Sequence, residues 1–410
     1  MLKSVKIKNY KSIHSLEINL QYLNVLFGPN GAGKSNFLDA LQLLSRIATT
    51  RTLKEAFTPP YRGNPLESFA FGSDGLKGLL AKDKASFSLE VDIELSSAVK
   101  ETINRQLQQM EPTKDELLSE DYLRYRIDIQ ILPKSGQLRV ADEFLAALNE
   151  NGTPKPSQAF IEKQNGQLHL HSKAHSAFYD LFLDQSILSL PHYPPHYPHI
   201  VALRQELERW LFFYFEPRER MRAKNPVKEV HHIGLMGEEL ASFLNTLHHL
   251  DERQFKGIEK SLHLLIPSIT GIDVAPNDLG EVELKLREGE IAIPARVLSE
   301  GTLRILGLLA LGGVKDRATL IGFEEPENGI HPRRIRLIAE WLKSRATLAD
   351  NQLIVTTHSP LLVDEIPTEF LYACHSKEGQ TIINSFADSQ QERQESLSIS
   401  ERILRGDFDA

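Results

Sequence analysis

The sequence predicts an α/β fold: a parallel core sheet with helices, an antiparallel β lobe beside it, and a mixed, largely helical insertion. Three observations predict it. Gly28-Pro-Asn-Gly-Ala-Gly-Lys-Ser35, a complete GxxxxGKS pattern, stands between an apolar run and a helical pattern. Two further apolar runs, Leu320–Phe323 and Leu353–Val355, lead into polar, chemically active residues, as buried parallel strands do at their C-terminal ends. Elsewhere, Ser86–Leu95 and Tyr125–Ile131 alternate apolar with polar residues, the mark of half-buried antiparallel strands.

Leu23-Asn-Val-Leu-Phe27 has the length and composition of a strand. From Asn36 onward, Phe37, Leu41, Leu44 and Ile47 recur at helical spacing. Between them Gly28, Gly31 and Gly33 let the backbone turn tightly and aim its N–H groups at phosphate oxygens, where a helix N-terminus adds positive potential. Asn30, Gly31, Ala32, Gly33, Lys34, Ser35 and Asn36 are therefore the candidate contacts of a nucleoside triphosphate. Lys34 would reach the β- and γ-phosphates, and the Ser35 hydroxyl would ligate Mg²⁺.

The strand Leu320–Phe323 runs into two carboxylates. Glu324 would hold Mg²⁺ or its water ligands, and Glu325 would orient and activate an attacking water. Leu298-Ser-Glu-Gly-Thr302 opens a helix in which Ser299 or Thr302 can cap and Gly301 leaves backbone N–H groups accessible. That start is a candidate second anion site for a γ-phosphate, and the spacing does not say whose phosphate. His358 follows Leu353-Ile-Val-Thr-Thr357 and is placed to sense the γ-phosphate through a hydrogen bond.

With these motifs the chain resembles the ATP-binding-cassette ATPases of the RecF/SMC type. Within them it looks most like the stand-alone AAA ATPases allied to the OLD family, many of them in bacterial anti-phage defence. The likeness rests on Leu2-Lys-Ser-Val-Lys-Ile-Lys-Asn-Tyr-Lys-Ser-Ile13, on Leu23 through Asn36, on the Ser299–Thr302 signature, on Glu324-Glu-Pro-Glu-Asn-Gly329 and on Thr356-Thr-His-Ser-Pro360. Weaker likeness runs through Glu67–Gly72 and Phe213–Arg222.

The resemblance implies an ABC-type head that hydrolyses ATP with Mg²⁺ as a head-to-tail homodimer or higher homo-oligomer. Lys34, Ser35, Glu324, Glu325 and His358 would act within one chain, and Ser299 and Gly301 across to its partner. Asn328 and Gly329 fall where the D-loop crosses between sites, and Lys11 matches a basic position that approaches the nucleotide in relatives. It further implies a sensor or scaffold that regulates a separate nuclease or effector; the alternative is a RecF-like repair factor that binds DNA in its closed dimer. Three features depart from the pattern. Glu324 replaces the usual Asp, Glu300 and Thr302 alter the LSGGQ signature, and no glutamine after the loop helix matches the Q-loop.

Composition sets outer bounds. The 410 residues suffice for two or three lobes, with 41% hydrophobic and 25% charged residues. The single cysteine, Cys374, excludes an intrachain disulfide and fits a reducing cytoplasm; Met1 leads directly into the first strand, without a leader. No apolar stretch reaches the roughly 20 residues of a membrane helix. The longest, Leu303–Val314, reads as a buried helix. A net charge of −8 argues against a general polyanion binder, and the basic stretch Arg218–Lys224 behind Phe212–Phe215 reads as a charged turn after a core segment.

The long interval between Lys34 and Ser299 implies an insertion. The head is expected from residues 1–95 and 270–386, the inserted lobe from 96–269, with a strand near 125–131 returning to the head, and a polar tail from 387–410. Val282–Leu286 and Glu290–Ile293 read as a hairpin joining the antiparallel sheet, and Ile200–Phe215, Glu238–Leu250 and Arg253–Leu265 as helical runs. A closing strand pair is expected at Glu369–Ala373 and Gln380–Phe386. Heptads and a Cys-x-x-Cys hook are missing, which excludes a long coiled-coil arm. In His192-Tyr-Pro-Pro-His196 the prolines forbid a helix that would gather the histidines as metal ligands.

Overall fold

Leu23–Phe27 is buried at every position, and its alternation feeds two cores. Leu26 joins Phe37, Leu41 and Leu44 on one side; Val25 and Phe27 join Leu303, Ile338 and Leu362 on the other. A strand sandwiched in this way belongs at the centre of a layered α/β sheet. A computed structural model describes residues 1–72, 74–111, 118–172, 176–311, 318–348, 351–387 and 399–406.

Strands β1 (Leu2–Tyr10), β2 (Ile13–Asn19), β3 (Leu23–Phe27), β4 (Ala85–Glu94), β5 (Tyr122–Leu132) and β6 (Gln137–Leu148) open the chain. They are followed by β7 (Pro154–Gln164), β8 (Gln167–Leu170), β9 (Ala177–Asp180), β10 (Trp210–Phe213), β11 (Asn225–Pro226) and β12 (Gly271–Pro276). The last are β13 (Glu281–Glu288), β14 (Ile291–Pro294), β15 (Leu320–Glu324), β16 (Gln352–Thr357), β17 (Leu371–Lys377) and β18 (Gln380–Ser385).

The core sheet runs β10-β15-β16-β3-β17-β18, parallel except for the final β17–β18 pair. The C-terminal ends of β3, β15 and β16 therefore open on one edge. The antiparallel lobe is a single sheet, β2-β1-β4-β5-β6-β7-β8-β9. It runs through β5 to β9, so antiparallel structure reaches well into the expected insertion 96–269. The predicted α/β class, a parallel core with an antiparallel lobe, is the fold observed.

Three local expectations are corrected. The run Ile200–Phe215 is not one helix: Pro198–Glu208 is helical, and Trp210-Leu-Phe-Phe213 turns into β10 beside β15. Bulky aromatics fit a strand that is buried from both sides, and a run of four apolar residues has no period of its own. The β13–β14 hairpin forms, but in a separate small sheet with β11 and β12 rather than in the antiparallel lobe. The penultimate strand starts at Leu371, after a 3₁₀ turn over Thr368–Phe370. The other helical runs appear as Leu240–Leu250 and Glu252–Leu265. Most of the tail 387–410, and Leu303–Val314 beyond Leu311, lie outside the described residues.

Candidate active site

The phosphate loop links β3 to the helix Lys34–Thr49. Gly33 caps that helix in the left-handed region, φ 95°, with no side-chain cap, so the N–H groups of the first turn are not taken by a capping side chain. A Cβ on Gly33 would lie 1.8 Å from Thr381 Oγ1, and one on Gly28 would lie 1.9 Å from the Cys374 carbonyl oxygen. The strand pair β17–β18 thus presses the loop into shape and explains two of its glycines. Gly31, φ 78°, faces open space.

The Lys34 ammonium donates to the Gly28 and Pro29 carbonyls at 2.8 and 2.9 Å. Burial lowers its pKa, against the opposing pull of Cys374, Glu325, Glu327 and Glu324. The Cys374 thiol donates to the Ala32 carbonyl at 3.2 Å, and burial pushes its pKa up to about 12. Asn36 Nδ2 donates to Ser12 Oγ at 2.7 Å, and Ser12 Oγ meets Thr381 Oγ1 at 2.6 Å. A desolvated cation bonded to loop carbonyls, beside an uncapped helix start, fits a phosphate chain.

At the end of β15, Glu325 adopts φ 48°, a conformation that costs a non-glycine residue on the order of 1–3 kcal/mol. Its N–H bonds to the Thr356 carbonyl at 2.9 Å, and its carboxylate stands 3.2 Å from His358 Nδ1. Two residues predicted separately are thereby brought into one pair.

Glu324 is held from the side. Arg62 donates to both of its carboxylate oxygens, at 3.0 and 2.5 Å, and to Asp39 Oδ1 at 2.7 and 3.0 Å. Burial alone would lower the Arg62 pKa, but the bonds and charges of Glu324 and Asp39 outweigh it and raise it. The guanidinium lies over the Tyr214 ring, and Lys11 donates to Asp39 at 2.6 Å. Lys11 thus meets Asp39 in this structure. Arg62 and Asp39 were not anticipated from sequence. Arg62 stands in no motif, and Asp39 is a lone buried acid on the loop helix, legible only once its partners are known.

The signature starts the helix Glu300–Leu309. Ser299 Oγ accepts the Thr302 N–H at 3.1 Å and meets Thr302 Oγ1 at 2.7 Å. A Cβ on Gly301 would lie 2.5 Å from the Gly329 carbonyl oxygen. Within one chain the signature therefore packs on the loop that follows Glu325, and the Ser299 hydroxyl is bonded within its own helix start. Glu300 pairs with Arg218 at 2.8 Å, Lys224 with Glu283 at 2.7 Å, and Arg222 donates to the Leu298 carbonyl. Phe212, Phe213 and Phe215 are buried. His192 bonds to the Ile187 carbonyl, and burial lowers its pKa.

Over residues 23–364 the chain matches the protein family described as "AAA domain, putative AbiEii toxin, Type IV TA system". All but the first strand pair and the closing strands of the head fall in that span. Across 380 residues the chain is 23% identical to an ATP/GTP phosphatase of Helicobacter pylori, covering 89% of this chain and 87% of that protein. A stretch of 69 residues is 48% identical to the DNA replication and repair protein RecF of Bacteroides fragilis, 17% of this chain and 15% of RecF. Another, of 78 residues, is 38% identical to the DNA double-strand break repair Rad50 ATPase of Methanopyrus kandleri, 19% of this chain and 9% of Rad50. These two matches span only a small part of the repair proteins. Among solved structures, an SMC head bound to the C-winged helix domain of ScpA superposes with a TM-score of 0.53 at 12% identity, covering 95% of this chain and 99% of that one. That likeness is one of fold. With a family match across most of its length and a head-type α/β core around a complete phosphate loop, the chain belongs to this AAA-domain family and is an ATPase whose fold is that of an SMC head.

Proposed function

We propose that the ends of β3, β15 and β16 form the hydrolytic centre, with ATP bound by the Asn30–Asn36 segment. The contact that carries this reading is the 3.2 Å pairing of Glu325 with His358, on the sheet edge where Lys34 lies. Glu325 takes a proton from water as the water oxygen bonds to the γ-phosphorus, and the bond to the β–γ bridging oxygen breaks, leaving ADP and phosphate. His358 orients Glu325 and the phosphate, and Lys34 balances phosphate charge. Ser35 and Glu324 would hold Mg²⁺, which when bound neutralises charge on the phosphates. Because Arg62 already bonds both Glu324 oxygens, metal and guanidinium draw on the same carboxylate.

In this reading two copies close head to tail on ATP, with Ser299 and Gly301 of one facing the phosphate loop of the other, in the cytoplasm. The closed form regulates a separate nuclease or effector in anti-phage defence. Support comes from the family's description, which names a toxin of a toxin–antitoxin system, a two-partner arrangement. The local 48% identity to RecF favours a second reading, DNA binding by the closed dimer.

Steady-state hydrolysis tests the chemistry. Glu325→Gln is expected to lower kcat by roughly 10²–10⁴-fold while ATP still binds, as for loss of a general base; unchanged kcat contradicts the assignment. DNA binding that needs ATP, needs no partner and weakens steeply with salt selects the second reading over the first.

A further inference from the structure

Glu327 is a buried acid of this region that the reaction above does not use. It is 6% exposed and stands three residues past the end of β15. Its Oε1 accepts the Thr357 hydroxyl at 2.5 Å, and the Thr357 oxygen in turn accepts the Ser359 N–H at 2.9 Å. Its Oε2 is buried without a hydrogen-bond partner. A buried carboxyl oxygen without a side-chain partner is costly.

Glu327 lies on the loop that carries Glu325, and Thr357 directly precedes His358. The Glu327–Thr357 bond and the Glu325–His358 contact therefore bridge the same gap between the ends of β15 and β16. Glu325 sits in a strained conformation, which persists only where its surroundings fix it. We propose that Glu327 is a positioning residue for hydrolysis: through Thr357 it locks the Glu325 loop to the His358 loop and sets the geometry of the reacting pair.

The inference rests on the hydrolytic reading of Glu325 and His358 above. It makes the acceptor oxygen of Glu327 essential and its charge dispensable. Burial raises the Glu327 pKa, opposed by the Thr357 bond, by its own backbone N–H and by His358, and reinforced by Glu325. Lys34 and Arg304 also face it electrostatically. A glutamine amide keeps a carbonyl oxygen that can accept the Thr357 hydroxyl as Oε1 does, so glutamine is the rescuing substitution.

The experiment measures kcat and KM for ATP, the affinity for ADP, and thermal unfolding. The proteins are wild type, Glu327→Gln, Glu327→Ala, Thr357→Val and the Glu327→Ala/Thr357→Val double variant. Glu327→Ala and Thr357→Val are expected to lower kcat by about 10–100-fold, the scale of a small misplacement of catalytic groups, with ADP affinity unchanged. Glu327→Gln keeps kcat within about threefold of wild type, and the double variant is no worse than either single one. The inference is overturned if Glu327→Gln is as slow as Glu327→Ala, if the two losses add, or if folded Glu327→Ala and Thr357→Val turn over like wild type. Should Glu327→Ala fail to fold, Thr357→Val and Glu327→Gln decide. Wild type that binds ATP and never hydrolyses it removes the parent reading, and the positioning role with it; hydrolysis abolished by Glu325→Gln but indifferent to Glu327 and Thr357 removes the positioning role alone.

Discussion

Cys374 shows how tightly single side chains are fitted around the loop. Its thiol rests on the Ala32 carbonyl, its own carbonyl oxygen occupies the space a side chain on Gly28 would need, and burial raises its pKa from 9.0 to about 12. The sign of the linkage follows. The folded chain holds this proton more tightly than the unfolded chain, so the stabilisation is complete below pH 9 and is lost as pH rises from about 9 towards 12. The urea midpoint is therefore expected to fall between pH 8 and pH 10.5, and to fall less in Cys374→Ala; equal falls would contradict the assignment. In native protein at pH 8 the thiol should react with a thiol reagent far more slowly than after unfolding. Nothing in the sequence marked this cysteine beyond its being single, because its role is set by packing between distant strands. By contrast the places of Lys34, Ser35, Glu324, Glu325 and His358 at element ends were legible, since each closes an apolar strand or glycine loop within a few residues.

At the scale of elements, the segment carrying Arg62 joins the antiparallel lobe to the core. Tyr61 bonds to Tyr10 and Ser68, Lys11 N–H bonds to the Ser68 carbonyl, and Arg62 bridges Asp39 of the loop helix to Glu324 of β15. Removing Arg62 leaves a buried acid with one cation, Lys11, and frees Glu324. Arg62→Ala is expected to lower unfolding stability by about 1–3 kcal/mol, the cost of unpairing a buried polar group, and Glu324→Gln in the same chain should recover part of it. Additive losses in a urea-unfolding cycle would show that the pair is not coupled. This link was invisible in the sequence, where no motif marks Pro59-Pro-Tyr-Arg62. Strand β10 was misread for a related reason: Trp210-Leu-Phe-Phe213 is too short for its period to separate strand from helix, and its parallel partner β15 lies more than a hundred residues away. Strands β6 and β7 were not resolved individually, since register shifts in the β5–β6 and β6–β7 pairings break the alternation that reveals a strand, and β8 and β9, four residues each, are too short to show a period. The β13–β14 hairpin was legible from its turn, but the sheet it joins depends on pairings to β11 and β12 that local pattern does not carry.

On the scale of the whole molecule, three strand ends bring Lys34, Glu325 and His358, the residues proposed for hydrolysis, to one edge of the core sheet, while the signature helix starts on the loop that follows Glu325. Ser299 is bonded within its own helix start, so a trans role asks a second copy to present it to a phosphate. The proposed chemistry across two copies requires the closed dimer, and the mass in solution of Glu325→Gln, with and without ATP and Mg²⁺, checks that claim. The mass is expected to double only when ATP is added and hydrolysis is blocked. A mass indifferent to ATP, in protein shown to bind it, would contradict the claim and leave a phosphate-loop ATPase whose signature serves its own fold.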